Sequence, residues 1–315
     1  MRNRLIPLLF ALVVVSGAPA WAPITFEHQA QASAQQSASA TKLHLRAPDR
    51  VYSLNREPLT DYDLYLPSDW QARQPLRILV ALHGMGDTGE DFARPLLPLA
   101  EEHGWAVLAP TMAYRDYRDP SMVRKDGENL PQLKALLDTL PARYGIDVQP
   151  AVLFFGFSRG SQEAHRFSFM YPEVTLGVAG MSAGSYTLPV SSVVRQGVAA
   201  ALKYPFGIQD VDAICGRSFN SQAAQKVKYW VAVGGRDNKV EDVPRQWDQY
   251  LGNNRVERAQ RFVGSLKNFG AQAQYALFPE AVHELTDTMR RGGVDFLVSV
   301  ERQQAAGSPI ASAVR

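Results

Sequence analysis

Gly156-Phe157-Ser158-Arg159-Gly160 joins an apolar run, Ala151–Phe155 (AVLFF), to a stretch of helical character ending SQEAHRFSFM. A serine at so sharp a strand-to-helix turn lifts its hydroxyl above the sheet. The flanking positions must be glycine, because a side chain there would strike the neighbouring strand and helix. The turn also sets Ser158 at a helix N-terminus, where developing negative charge is stabilised. The same spacing recurs at Gly180-Met181-Ser182-Ala183-Gly184. The residues C-terminal to each serine separate the two. Ser158 precedes about a dozen helix-compatible residues, whereas Ser182 precedes SYTLPVSS, with Pro189 and β-branched residues, which is poor helix material. Ser158 is the expected nucleophile, and Ser182 reads as a strand end whose small residues line the pocket floor.

A serine hydroxyl needs a base to take its proton and a carboxylate to orient that base. Downstream of Ser158 the histidines are His165 and His283. His165 lies seven residues along the expected helix, points away from the serine and reads as structural. His283, in FPEAVHE after the last apolar run, is the expected base. The acid should follow the penultimate strand. Asp237, in YWVAV-Gly234-Gly235-Arg236-Asp237, sits at a glycine turn where the carboxyl ends of parallel strands gather their sites. Asp242 is its rival, Asp287 lies past the histidine, and a turn aspartate capping the next helix is the bland alternative for Asp237. An oxyanion needs two backbone N–H groups. Arg159 supplies one, and the loop His83-Gly84-Met85-Gly86-Asp87, after Arg77–Leu82 (RILVAL), supplies the other through Met85.

The motifs HGMGD and GFSRG resemble the paired motifs of the α/β-hydrolase superfamily, in its phospholipase/carboxylesterase and dienelactone-hydrolase-like esterase branch. More loosely they resemble secreted polyhydroxybutyrate depolymerase-like and feruloyl-type esterases. The resemblance spans roughly Tyr52 to Val300. It implies a carboxylic ester hydrolase with no cofactor, metal or organic. In it Ser158 is nucleophile, His283 general base and acid, Asp237 the orienter, and Met85 and Arg159 the oxyanion donors. The chain departs from small members of that branch in its 79-residue interval from Ser158 to Asp237 and in the charged Arg159 beside the nucleophile.

These residues need a frame. Arg77–Leu82, Trp105–Ala109, Ala151–Phe155, Leu176–Gly180, Tyr229–Val233 and Ala273–Phe278 are continuous apolar runs, the pattern of strands buried on both faces of a parallel sheet. Tyr62–Leu66 alternates and fits an edge strand. Leu130, Leu133, Leu137 and Leu140 mark one face of a helix. Arg255–Phe269 has a helical rhythm stopped by Gly270. The expected fold class is α/β, a mostly parallel doubly wound sheet with an insertion of about forty residues, Ser185–Gln225, before the acid-bearing strand. The insertion reads as a lid or a substrate wall. His83, Gly84, Tyr114 and Tyr186 are expected to touch substrate, with Arg115, Tyr117, Arg118 and Phe206 as further wall residues; the alternative for YRDYRDP is a solvated loop pairing Arg115 with Asp116 and Arg118 with Asp119.

The chain has 315 residues, 46% hydrophobic and 20% charged, which excludes a disordered polymer. With 33 basic and 31 acidic residues it gives no reason to expect nucleic acid as a partner. The single cysteine, Cys215, excludes an intrachain disulfide and a Cys₄ or Cys₂His₂ zinc site. Arg2 and Arg4, the apolar run Leu5–Val15 and Ala18-Pro19-Ala20 make residues 1–20 a signal peptide rather than a membrane anchor. Residues 21–41 read as a flexible linker, 42–303 as the α/β-hydrolase domain and 304–315 as a tail. The expectation is a secreted or periplasmic protein with a small-molecule or oligomeric ester as substrate and no stable membrane anchor. A peptidase or thioesterase using the same triad, and a non-catalytic binding protein that kept the fold, are the alternatives.

Overall fold

The computed structural model describes residues 59–114, 122–195 and 197–307. The expected signal peptide, the linker, Arg115, Tyr117, Arg118 and the chain beyond 307 lie outside the described residues. In chain order the elements are β1 (Tyr62–Tyr65), β2 (Arg77–Leu82), α1 (Gly89–Ala93), α2 (Leu97–His103), β3 (Trp105–Pro110), α3 (Met122–Tyr144), β4 (Val152–Phe157), α4 (Arg159–Met170) and β5 (Thr175–Met181). After these come β6 (Ser192–Arg195), β7 (Val198–Ala201), α5 (Val211–Cys215), α6 (Ser221–Lys226), β8 (Lys228–Gly234), α7 (Asp248–Leu251), α8 (Arg255–Phe269), β9 (Gln272–Phe278) and α9 (Asp287–Gly307). Helix α9 carries residues 304–307, which by composition belong to the expected tail.

Seven strands form one sheet in the order β1-β3-β2-β4-β5-β8-β9. All neighbours are parallel except β1, which pairs antiparallel with β3 at the edge. The alternating Tyr62–Tyr65 therefore occupies the position its pattern demands. Successive residues of the apolar strands go to opposite sides. Ile78, Val80, Leu82, Phe154 and Val178 join one core with α3, α4 and α8. Leu79, Ala81, Phe155, Ala179 and Trp230 join a second core with α1, α2 and α9. Both faces being covered is the reason the inner strands read as unbroken hydrophobic runs. The expectation fails for Ala273–Phe278: β9 is the far edge of the sheet, with Gln274 and Leu277 exposed.

The insertion is built into the first core. Tyr186, Leu188, Leu202, Tyr204, Val211 and Ile214 are all buried in it. Its N-terminal end is tied to α4: Arg166 Nη2 donates to Ser185 Oγ at 2.8 Å, and the Thr187 N–H donates to His165 Nε2 at 3.0 Å. The lid reading does not hold for these segments, because a lid cannot open without uncovering apolar core. Within the insertion, β7 of the β6–β7 hairpin is exposed along its whole length.

Candidate functional site

The turn at Ser158 is dictated by clearance. A Cβ at Gly156 would lie 2.7 Å from the Gly160 carbonyl oxygen, and one at Gly160 would lie 2.0 Å from that of Leu82. No side chain fits either gap. Between them Ser158 adopts φ 50° and ψ −111°, a conformation rare for a residue with a side chain. The Ser158 N–H to Met181 carbonyl bond (2.8 Å) and the Gln162 N–H to Ser158 carbonyl bond (3.2 Å) hold it there. The result points Ser158 Oγ away from the sheet, toward the loop after β9.

Asp237 and His283 are brought together by a second close approach. A Cβ at Gly234 would meet the Ala281 carbonyl oxygen at 2.4 Å, and one at Gly235 that of Pro279 at 2.6 Å. The Gly235 N–H donates to Phe278 and the Arg236 N–H to Ala281, at 2.7 and 2.9 Å. The glycine turn after β8 and the loop after β9 are thereby laced together. His283 Nδ1 lies 2.8 Å from Asp237 Oδ2, and His283 Nε2 lies 3.0 Å from Ser158 Oγ. The carboxylate fixes the proton on Nδ1, which leaves Nε2 to accept from the serine hydroxyl. The imidazole stacks on Phe157 at a centroid distance of 5.0 Å. Asp237 is 3% exposed. Burial alone would raise its carboxyl, but the His283 hydrogen bond and the Arg255 guanidinium outweigh burial and hold it below the usual carboxylate range.

Gly84 runs alongside the nucleophile, its hypothetical Cβ 3.6 Å from Ser158 Cβ. The N–H groups of Met85 and Arg159 have no other hydrogen-bond acceptor among the described residues. Arg159 opens α4, where the first N–H groups lack intrahelical partners.

Several expectations need correction. His83 is 1% exposed and has both ring nitrogens occupied, Nδ1 by the Gly84 carbonyl at 2.6 Å and Nε2 by the Met112 N–H at 2.8 Å. It braces the loop against the end of β3 and does not face substrate. Tyr186 is 1% exposed and stacks on Phe262 at 4.3 Å, inside the core. Tyr114 is half-buried with its hydroxyl turned inward, its ring packed over the Arg159 guanidinium (5.2 Å) and against His83 (4.9 Å). Phe206 packs on Trp247 and Tyr250. The Arg159 side chain does not stand beside Ser158. It is 1% exposed and paired with Asp126, which also takes Arg166 and the Tyr204 hydroxyl.

The rivals fall elsewhere. Ser182 has φ 51° but is completely buried, beside Asp237 rather than His283. Asp242 offers a backbone carbonyl to Arg255, and Asp287 pairs with Arg290 on the surface. His165 is buried, its Nδ1 on the Ser161 carbonyl at 2.9 Å, and its structural reading stands. Sequence reasoning missed Arg255 and the buried Asp126 cluster. Neither lies in a motif, and only the packing of α8 against β8 and β9 and of α3 against α4 brings them in.

No protein-family model and no curated protein matches the chain. Solved structures do. Poly(aspartic acid) hydrolase-1 from Sphingomonas sp. KT-1 superposes with a TM-score of 0.54 at 20% identity, over 77% of this chain and 97% of its own. A poly(3-hydroxybutyrate) depolymerase from Bordetella parapertussis gives 0.52 at 20%, over 79% and 87%. Esterase PE8 gives 0.52 at 18%, over 77% and 99%.

The fold is that of the α/β-hydrolases.

In the α/β-hydrolase fold observed here, Ser158, Asp237 and His283 occupy the carboxyl ends of β4 and β8 and the loop after β9. That is the edge of a parallel sheet where strand ends leave a crevice. Met85 and Val282, 42% and 48% exposed, flank them as apolar side chains open to solvent.

Proposed function

We propose that this protein is an exported serine hydrolase that cleaves carboxylic esters through an acyl-enzyme. The observation that carries the reading is the unbroken chain from Ser158 Oγ through His283 to Asp237, with 3.0 and 2.8 Å contacts. Ser158 Oγ attacks the ester carbonyl while His283 Nε2 takes its proton. The imidazolium so formed faces a carboxylate held ionised in a buried position, where the attraction is weakly screened. The oxyanion meets the N–H groups of Met85 and Arg159. His283 then protonates the leaving alcohol, and water deprotonated by the same nitrogen releases the acid. The apolar side chains of Met85, Phe157 and Val282 around the serine favour a substrate with an apolar group next to the ester. Export is read from Arg2, Arg4, Leu5–Val15 and Ala18–Ala20.

The test is hydrolysis of p-nitrophenyl esters from acetate to palmitate by the mature chain, with Ser158→Ala in parallel. Turnover that vanishes in the variant supports the reading, and turnover retained by Ser158→Ala but lost in Ser182→Ala refutes it. N-terminal sequencing of protein from the extracytoplasmic fraction tests export, with cleavage after Ala20 expected.

A further inference from the structure

Resting on the hydrolase reading, we propose that Arg255 is a positioning residue of the triad, holding one oxygen of Asp237 so that the other stays on His283. The two carboxylate oxygens are divided. Oδ1 accepts from Arg255 Nη1 at 2.8 Å, and Oδ2 accepts from His283 Nδ1 at 2.8 Å. The guanidinium is itself fixed. Arg255 is the first residue of α8, whose Asn254 cap accepts from the Glu257 N–H at 3.0 Å, and its Nη2 donates to the Asp242 carbonyl at 2.9 Å. The pair is screened from water, the side chains being 8% and 2% exposed, unlike the ordinary surface ion pair.

The groups facing the carboxylate make the role specific. His283 comes from the loop after β9, Arg255 from α8, the Ser182 hydroxyl from the end of β5, and the Tyr186 hydroxyl from the insertion. The last two are buried and lack a hydrogen-bond partner of good geometry. They are the donors that would take Oδ1 if Arg255 were gone, turning the carboxylate out of line with the imidazole. Arg258, a like charge near Arg255, is neutralised by Asp248 at 2.7 Å and does not compete for Asp237. Loss of Arg255 also removes the cation that helps hold the Asp237 carboxyl ionised, and readier protonation of that carboxyl moves the acid limb of the rate profile to higher pH.

The experiment measures the rate at which a fluorophosphonate labels Ser158 as a function of pH, for wild type, Arg255→Lys and Arg255→Gln. In labelling, a phosphorus–oxygen bond forms, fluoride leaves and the serine proton passes to His283, so the readout does not depend on which ester is the substrate. For Arg255→Gln the plateau rate should fall roughly tenfold to a hundredfold. Its acid limb should rise by about one pH unit. Arg255→Lys should keep the limb and recover only part of the plateau, since an ammonium lacks the planar fork. Should Arg255→Gln fail to fold, a lowered plateau with an unmoved limb in Arg255→Lys supports the proposal. Unchanged labelling in the variants, or a uniform loss in both folded variants with no limb shift in Arg255→Gln, overturns it. Failure of the wild type to label at Ser158 overturns the hydrolase reading and the proposal with it.

Discussion

Replacing Ser158 by glycine should leave a more stable protein than replacing it by alanine, the reverse of the usual order. At an unstrained position glycine is the less stable choice by about 0.5–1 kcal/mol, because it loses more backbone freedom on folding. Ser158 sits at φ 50° and ψ −111°, where a Cβ carries a conformational cost of about 1–3 kcal/mol. Alanine keeps that cost and glycine removes it. Both lose the same hydroxyl and its 3.0 Å contact with His283, so that term cancels. The difference lies between roughly 0 and 2.5 kcal/mol in favour of glycine. At about 2–4 °C per kcal/mol for a domain of this size, that is a few degrees in Tm. Urea unfolding of the two inactive variants, read as midpoints at equal slope, measures it. If Ser158→Ala is the more stable by the ordinary half to one kcal/mol, the backbone at the nucleophile is not strained and the account of the turn is wrong. Ser182, at φ 51°, should show the same inversion although it has no place in the triad.

Gly160→Ala should destabilise by about 3 kcal/mol or more, since its Cβ would lie 2.0 Å from a backbone carbonyl. Gly184→Ala, where the nearest atom is the amide end of Gln162 at 3.4 Å, should stay within about 1 kcal/mol; thermal melts of the pair would separate them, and equal losses would refute the clearance argument. Asp237→Asn should lower kcat/KM by roughly 10³–10⁴-fold with the fold intact by circular dichroism, because the amide donates to His283 and favours the wrong tautomer. A drop under tenfold would remove Asp237 from the triad. Stability should also fall as pH drops below about 6.5. Burial and Arg166 push His165 well below that value and burial lowers His83, so the unfolded chain takes up protons that the native chain excludes. Urea unfolding at several pH values should give His165→Gln a shallower slope, by up to about 1.4 kcal/mol per pH unit. An unchanged slope would mean that His165 is not buried neutral.

The sequence by itself determined the inner strands of the seven-stranded sheet, because a strand covered on both faces needs an unbroken apolar run and cannot hide it; the exposed β6–β7 hairpin was not read from it. Arg77–Leu82 is β2 residue for residue, and Arg255–Phe269 is α8 with its glycine stop. It determined the turn at Ser158 as well. Gly156 and Gly160 are the only residue type that the 2.7 and 2.0 Å clearances admit, so the tight turn left a mark in the local string. The meeting of Asp237 and His283 was suggested by a glycine turn and by a histidine after the last apolar run, both at strand ends where parallel sheets gather their sites.

The tertiary structure alone decided which way side chains face. His83 and Tyr186 looked like pocket residues from their neighbours in the chain, yet the core took both, one as a brace and the other as a stacked ring. Arg159 looked like a charge beside the substrate, yet its guanidinium turns inward to Asp126, 33 residues away in sequence. Ser158 and Ser182 share spacing and backbone strain. Only the loop after β9 chooses between them, by putting His283 Nε2 on one and leaving the other beside Asp237. Arg255 joins the site through the packing of α8 against the end of β8. Contacts of this kind are made between segments far apart in the chain, and no local pattern has to change for them to form.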